Sequence, residues 1–203
     1  MNRKTVSILL AIILVLAGTV CSFAGSIDYH GWDSQAAYPT DVVNTQLFAP
    51  VKFLMDRKII EGYEDGLFRP ERNITRTEFL KMVLIAGNNT GNVGKYPPSG
   101  FPDARGHWGK KYIDAGVSLG YIKGMGDGTF APDANVTYAQ VFAMFLRSRG
   151  ITDQQMNAYG TWPQNYARYA TMYGMLGDVS VRDWNAPATR GDVAKILYRN
   201  LPK

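Results

Sequence analysis

Two tetrads put an arginine directly after a threonine and two residues before an acid: Thr75-Arg76-Thr77-Glu78 and Thr189-Arg190-Gly191-Asp192. The threonine and the acid have a local explanation. Thr75 can accept a hydrogen bond from the backbone N–H of Glu78 while Glu78 reaches back to the N–H of Thr75, a capping box that starts a helix. Thr137 and Gln140 fit the same box. Thr189 and Asp192 fit it less well, because Asp is shorter. Arg76 has no part in such a box. A cation in the first turn opposes the helix dipole, which favours anions there. Free N–H groups at a helix start together with a guanidinium would make a carboxylate site. Arg76 is therefore the leading candidate binding residue, and Arg190 the second. Tyr138 replaces the arginine in the middle tetrad, so a carboxylate contact is expected to be lost there. Gly191 is expected to loosen the start of the last helix.

These tetrads close a longer repeat. Gly62-Tyr63-Glu64-Asp65-Gly66-Leu67-Phe68-Arg69-Pro70 leads to the first one. Gly124-Met125-Gly126-Asp127-Gly128-Thr129-Phe130-Ala131-Pro132, 62 residues on, leads to the second without a gap. The third loop, Gly177 to Ala188, is two residues shorter and lacks the Asp-Gly-x-Phe-x-Pro pattern. Gly66 and Gly128 are expected to supply positive φ in a turn, and Phe68 and Phe130 to plug the core. Repeat units this short must pack on one another to bury their apolar faces.

Each unit reads as helix, loop, helix. In the first helices, Trp108, Tyr112, Ala115 and Leu119 share offsets with Trp162, Tyr166, Tyr169 and Tyr173, one helical face. Pro50 and Pro163 suit the first helical position. In the second helices, Phe79, Met82, Val83 and Ala86 form a stripe repeated by Val141, Met144 and Phe145 and by Val193, Ile196 and Leu197. Gly87 and Gly150 are placed to end helices. The expected fold is mainly α: three helix-loop-helix repeats packed as a pseudo-threefold helical bundle with prongs, its six main helices in three pairs.

The chain has 203 residues and a formal net charge of +5. Residues 1–24 read as a secretory signal peptide: basic Arg3 and Lys4, an apolar run from Val6 to Val20, and a small-residue cleavage site ending at Ala24. The run is shorter than the roughly 20 residues a membrane span needs, so no stable membrane insertion is expected after cleavage. Removing Arg3 and Lys4 lowers the charge to +3, which permits an anionic partner without demanding one. Cys21, the single cysteine, falls inside the signal, leaving no disulfide and no Cys-based metal site. The expected organisation is a flexible leader at 25–37, unit one at 38–87, a linker at 88–100, unit two at 101–150 and a degenerate unit three at 151–203. No attached cargo domain is expected.

Phe101-Pro102-Asp103, His107-Trp108, Gly120-Tyr121-Ile122, Gly124, Asp127-Gly128, Phe130, Pro132 and Thr137 together resemble the S-layer homology (SLH) domain. Unit one resembles it through Asp41, Lys58-Ile59-Ile60, Gly62-Tyr63, Asp65-Gly66, Phe68, Pro70 and the tetrad Thr75-Arg76-Thr77-Glu78, which is similar to the family's Thr-Arg-Ala-Glu signature. The resemblance covers roughly residues 38–201. It implies a three-unit helical assembly held non-covalently to a cell-wall polysaccharide, typically one with ketal-linked pyruvate. It also implies binding grooves between adjacent units, with the signature arginine at the ligand. On that reading Trp108 and Trp162 either stack on sugar faces or pack in the core, core packing being the preferred reading. Asp41 and Asp103 either cap their first helices, the preferred reading, or accept sugar hydroxyls. His107 is read as structural. One good groove, one doubtful groove and one dead or altered groove are expected.

Other classes fit less well. Beyond the leader's His30, His107 is the one histidine, and no Ser-His-Asp or Cys-His set can be assembled. The acids sit at caps and turns, so neither catalysis nor a cofactor is expected. Asp65-Gly66 and Asp127-Gly128 faintly suggest calcium loops, but far fewer than six oxygens are in reach, and no metal site is expected. No basic run suggests nucleic acid. The competing reading is a structural or protein-binding envelope module with a protein partner instead of a glycan.

Overall fold

Three threonines start the three longest helices. The computed structural model describes residues 38–203; the expected signal peptide and leader, with Cys21 and His30, lie outside the described residues. In chain order the helices are α1 (Phe48–Asp56), α2 (Arg76–Ala86), α3 (Lys110–Ser118), α4 (Tyr138–Ser148), the single turn α5 (Asp153–Met156), α6 (Gln164–Met172) and α7 (Arg190–Asn200). Short 3₁₀ turns at Pro102–Ala104 and Asn157–Tyr159 precede α3 and α6. The protein is mainly helical. Among the described residues, β structure is limited to three isolated bridges.

Thr75 and Thr137 form complete capping boxes with Glu78 and Gln140. At α7 the box is half made. Thr189 accepts from the N–H of Asp192, but the Asp192 carboxylate instead accepts from the Tyr138 hydroxyl at 2.5 Å. Pro50 is the third residue of α1, not the first. It still sits in the first turn, where an N–H has no intrahelical partner. Pro163 precedes α6. Gly87 ends α2 with negative φ, whereas Gly150 follows α4 with φ of 80°, the left-handed turn that glycine adopts cheaply.

The second-helix stripes are buried as their spacing predicts: Phe79, Met82 and Val83, then Val141, Met144 and Phe145, then Val193, Ile196 and Leu197. Ala86 is half-buried. The first-helix stripes are not continuous core. Tyr166 and Ala115 are buried, but Trp108 and Trp162 are 54% and 48% exposed. Burial of α3 runs instead through Ile113, Asp114, Ala115 and Gly116. At Gly116 an added Cβ would lie 2.9 Å from the Leu80 side chain, so the close α2–α3 approach depends on that glycine.

The main helix pairing runs between units. The first helix of each unit packs on the second helix of the unit before it: α3 on α2, α6 on α4, and α1 on α7, which closes the set. The chain segments entering the second helices are joined in the same cyclic order. Bridges link Thr75 to Asn135, Thr137 to Pro187 and Asn73 to Thr189. The N–H groups of Arg76, Tyr138 and Arg190 donate to the carbonyls of Ala134, Ala186 and Arg72, and the next residue in each helix donates to Pro132, Trp184 and Pro70. Around this ring Phe68, Phe130, Ile74 and Val136 are fully buried.

The plug phenylalanines therefore carry much of the central core. Phe130→Ala should lower unfolding free energy by about 3–5 kcal/mol, seen in urea titration as a shifted midpoint with unchanged slope. A loss below about 1 kcal/mol would contradict this account of the core.

Candidate functional site

Asp41 and Asp103 fix the loops that build the site. Asp41 does not cap a first helix. Its carboxylate accepts from the N–H groups of Phe68 and Arg69, and Asp103 accepts from those of Phe130 and Ala131. Arg69 and Ala131 have φ of 57° and 56°, a left-handed conformation costing a non-glycine residue about 1–2 kcal/mol. The carboxylate offsets that cost and fixes the direction of the Phe68 and Phe130 carbonyls. Gly66 and Gly128, with φ of 78° and 89°, complete each turn. Asp65 accepts from Leu67 N–H and pairs with Arg69, while Asp127 accepts from Thr129 N–H and its hydroxyl.

The two arginines meet these carbonyls across unit boundaries. Arg76, 2% exposed, donates from Nε to the Phe130 carbonyl at 2.8 Å and from Nη2 to the Lys123 carbonyl at 3.3 Å. Its guanidinium lies 4.5 Å from the centre of the Phe130 ring. Arg190 repeats the arrangement on unit one. Its Nε and Nη2 donate to Phe68 and Glu61 carbonyls, both at 3.0 Å, and it stacks on Phe68 at 4.5 Å. Neither arginine is the solvent-facing first-turn cation that its position suggests, because its helix starts against the next unit's loop.

The first-turn N–H groups are also occupied, contrary to expectation. Those of Arg76 and Thr77 donate to Ala134 and Pro132 carbonyls, and that of Glu78 to Thr75 Oγ1. The helix start therefore offers an anion no free N–H group, only the guanidinium. No carboxylate lies within salt-bridge distance of either arginine among the described residues. Burial pulls the Arg76 pKa down to about 10, with Asp103 opposing from farther away, and burial lowers that of Arg190. A buried cation held only by carbonyl dipoles is stabilised by any anion that reaches it.

Both arginines have a face such an anion can reach. No side-chain polar atom of the described residues is both buried and unpaired, so Nη1, which has no partner there, keeps some contact with solvent. Arg76 lines a cavity of about 310 Å³ with Lys123, Met125, Gln140, Arg147 and Trp162. Arg190 lines one of about 210 Å³ with Glu61, Glu78, Lys81, Met82 and Trp108. The two grooves have the same construction. Each takes its arginine from one unit, its loop and second helix from the next, and its tryptophan from the unit after that. The exposure of both tryptophans corrects the core reading.

Sequence reasoning missed the flanking charges. Lys123, Arg147, Lys81 and Glu61 were not singled out, and Lys58 only as part of the repeat pattern, although Lys123 and Glu61 occupy matching places just before Gly124 and Gly62. His107 is structural: its Nδ1 accepts from Gly109 N–H and its Nε2 contacts Asp133 at 3.0 Å. Gly191 does not merely loosen its helix. An added Cβ would lie 3.1 Å from the Pro70 side chain and 3.2 Å from its carbonyl oxygen, so this glycine admits the unit-one loop.

The third junction departs from this pattern. Tyr138 donates to Asp192, and burial with this bond raises its pKa. The adjacent cavity, about 580 Å³, is lined by Gln46, Asp178, Lys195 and Arg199. Gln46 stands two residues ahead of α1, where Trp108 and Trp162 stand ahead of α3 and α6. This junction thus has neither the helix-start arginine nor the tryptophan, although Tyr198 lines its cavity. Trp184, absent from the sequence reading, supplies its carbonyl to Ala139 N–H and packs on Phe142 with ring centroids 5.6 Å apart.

A family model described as the S-layer homology domain matches residues 40–80 and 100–142. The chain is similar to a cellulosome-anchoring protein of Acetivibrio thermocellus, 34% identical over 123 residues, 59% of this chain and 28% of that protein. It is similar to a cell surface protein of Thermoanaerobacter kivui, 26% identical over 202 residues, 98% of this chain and 24% of that protein. A middle cell wall protein of Brevibacillus brevis is 25% identical over 201 residues, 98% of this chain and 18% of that protein. The chain thus spans less than a third of each of these relatives.

Asp153 gives the site a pH signature. Burial works against its ionised form, but hydrogen bonds from Arg147, Lys123 and Tyr166 outweigh this and hold its carboxyl well below the usual range. The folded-state pKa is depressed, so the stabilisation is present above the unfolded value of 3.8 and is lost as pH falls toward the folded value. Asp153→Asn should therefore flatten the loss of thermal stability between pH 5 and pH 2 relative to the parent chain. Parallel curves for the two proteins would contradict this reading.

Proposed function

We propose, from this chain's membership of the S-layer homology family, that it holds non-covalently to an anionic polysaccharide of the cell envelope, most simply one bearing pyruvyl ketals. S-layer homology domains are binding and anchoring modules, and the chain is a cell-envelope protein. The observation that carries the finer reading is the Arg76 groove. A buried guanidinium without a counter-ion opens there beside an exposed tryptophan, with no acid on the lining. A pyruvyl ketal presents one carboxylate on a sugar ring. The carboxylate would meet the free edge of Arg76, and the ring's apolar face would lie on Trp162. Charge-assisted hydrogen bonds of this kind contribute about 1.5–3 kcal/mol.

The Arg190 groove is the second candidate and the Tyr138 junction the altered one. Asp41 and Asp103 act on the ligand indirectly, by holding the loops that hold the arginines. The pseudo-threefold reading of the bundle belongs with this proposal, and the closed ring of bridges supports it. Catalysis forms no part of the proposal.

Co-sedimentation with purified wall polymer, with and without its pyruvate, tests it. Arg76→Ala should weaken binding about tenfold or more, and Tyr138→Ala should weaken it less. Trp162→Ala should weaken binding without loss of stability, because the ring is half exposed. Equal effects of Arg76→Ala and Tyr138→Ala, or binding that survives removal of the polymer, would overturn the proposal; the latter would point to a protein partner or bare peptidoglycan.

A further inference from the structure

The two arginine grooves share one construction but carry different charges at matching positions. Where the Arg76 groove has Lys123, the Arg190 groove has Glu61, and where the first has Gln140, the second has Glu78. Arg147 in the first corresponds to Ile85 in the second, by the same 62-residue offset. The Arg76 groove therefore has three cations and no acid on its lining. Asp153 pairs with Lys123 and Arg147 from the side of a neighbouring cavity, and Asp103 acts on Arg76 from beyond the lining. The Arg190 groove has Lys58, Lys81 and Arg190 opposed by two lining carboxylates. Lys81 and Glu61 approach to 3.9 Å. Glu78 gives Oε2 to Thr75 N–H, which leaves Oε1 for another donor.

From this contrast we infer that the two grooves take chemically different sugars: the Arg76 groove an acidic sugar, the Arg190 groove an uncharged, hydroxyl-rich one. The inference rests on the glycan-binding reading above and assigns a ligand class to each site. A carboxylate guest at Arg190 meets Glu61 and Glu78 on the same lining, and like charges placed together in an interface cost several kcal/mol. Sugar hydroxyls face no such repulsion. They donate to the free oxygens of the glutamates and accept from Lys81 and the open edge of Arg190, while the ring stacks on Trp108, 54% exposed. Such a pair would grip a polymer whose acidic and neutral residues recur along the chain. Two linked sites of different specificity also raise avidity for that polymer over one of uniform composition.

Calorimetry on the whole chain tests the assignment with two oligosaccharide fragments of wall polymer, one with its acidic substituent and one stripped of it. The acidic fragment should fill one site per chain, lost in Trp162→Ala and kept in Trp108→Ala. The stripped fragment should fill one site lost in Trp108→Ala. Glu61→Lys with Glu78→Gln should create a second acidic site, raising affinity there by more than about tenfold; Gln140 already forms the same capping box, so the helix start survives. Two acidic sites of equal affinity in the parent chain, or no gain in the double variant, would overturn this assignment while leaving glycan binding intact. Failure of both fragments to bind the parent chain would overturn the assignment together with the reading it rests on.

Discussion

The hydrogen bond from a helix-start side chain in one unit to a loop carbonyl in the next organises this protein. Arg76 to Phe130 and Arg190 to Phe68 join separate repeats through groups that are buried and charged on one side. A buried guanidinium needs strong acceptors in fixed places. The loops supply them because Asp103 and Asp41 hold two successive N–H groups each and turn the carbonyls toward the arginine. The chain of dependence runs from an aspartate, through a left-handed residue, to a carbonyl, and then to the cation of the preceding unit.

That chain explains why architecture and the proposed binding cannot be separated here. The same arginine that ties two units forms the floor of the groove between them. Two of its edges are occupied by structure and one is left to the groove. The tryptophan on the opposite wall comes from a third unit. A groove is therefore complete only when three consecutive segments are in register, and the cyclic packing of α1 on α7 supplies the closing contact for the Arg190 groove. At the third junction Tyr138 and Asp192 replace the arginine with a neutral donor. The join persists, but the cationic floor does not.

Charge at the groove walls is less constrained by the fold than the floor is. Lys123 and Glu61 occupy matching places and are both exposed, so their exchange costs the fold little. Exposed charge contributes little to stability, yet it governs which guest is repelled. Two copies of one scaffold can thereby diverge in ligand while preserving every contact that holds them together.

The sequence alone determined the second helices, their threonine caps and the repeat. The spacing of Phe79, Met82 and Val83, the Thr-x-x-Glu box and the glycines of the turns are local features, and local backbone chemistry suffices to read them. It also singled out Arg76, Arg190, Trp108 and Trp162, since a cation in a first turn conflicts with the helix dipole and large aromatics at helix starts are conspicuous. Which neighbours those residues meet was decided only by tertiary structure. Nothing local states that α3 packs on α2, that Asp103 serves Phe130, or that Lys123 and Trp162 share a groove with Arg76. Asp103 and Phe130 meet across 27 residues of one unit, and the other pairings come from closing the units into a ring, where the partner of each group lies in another repeat.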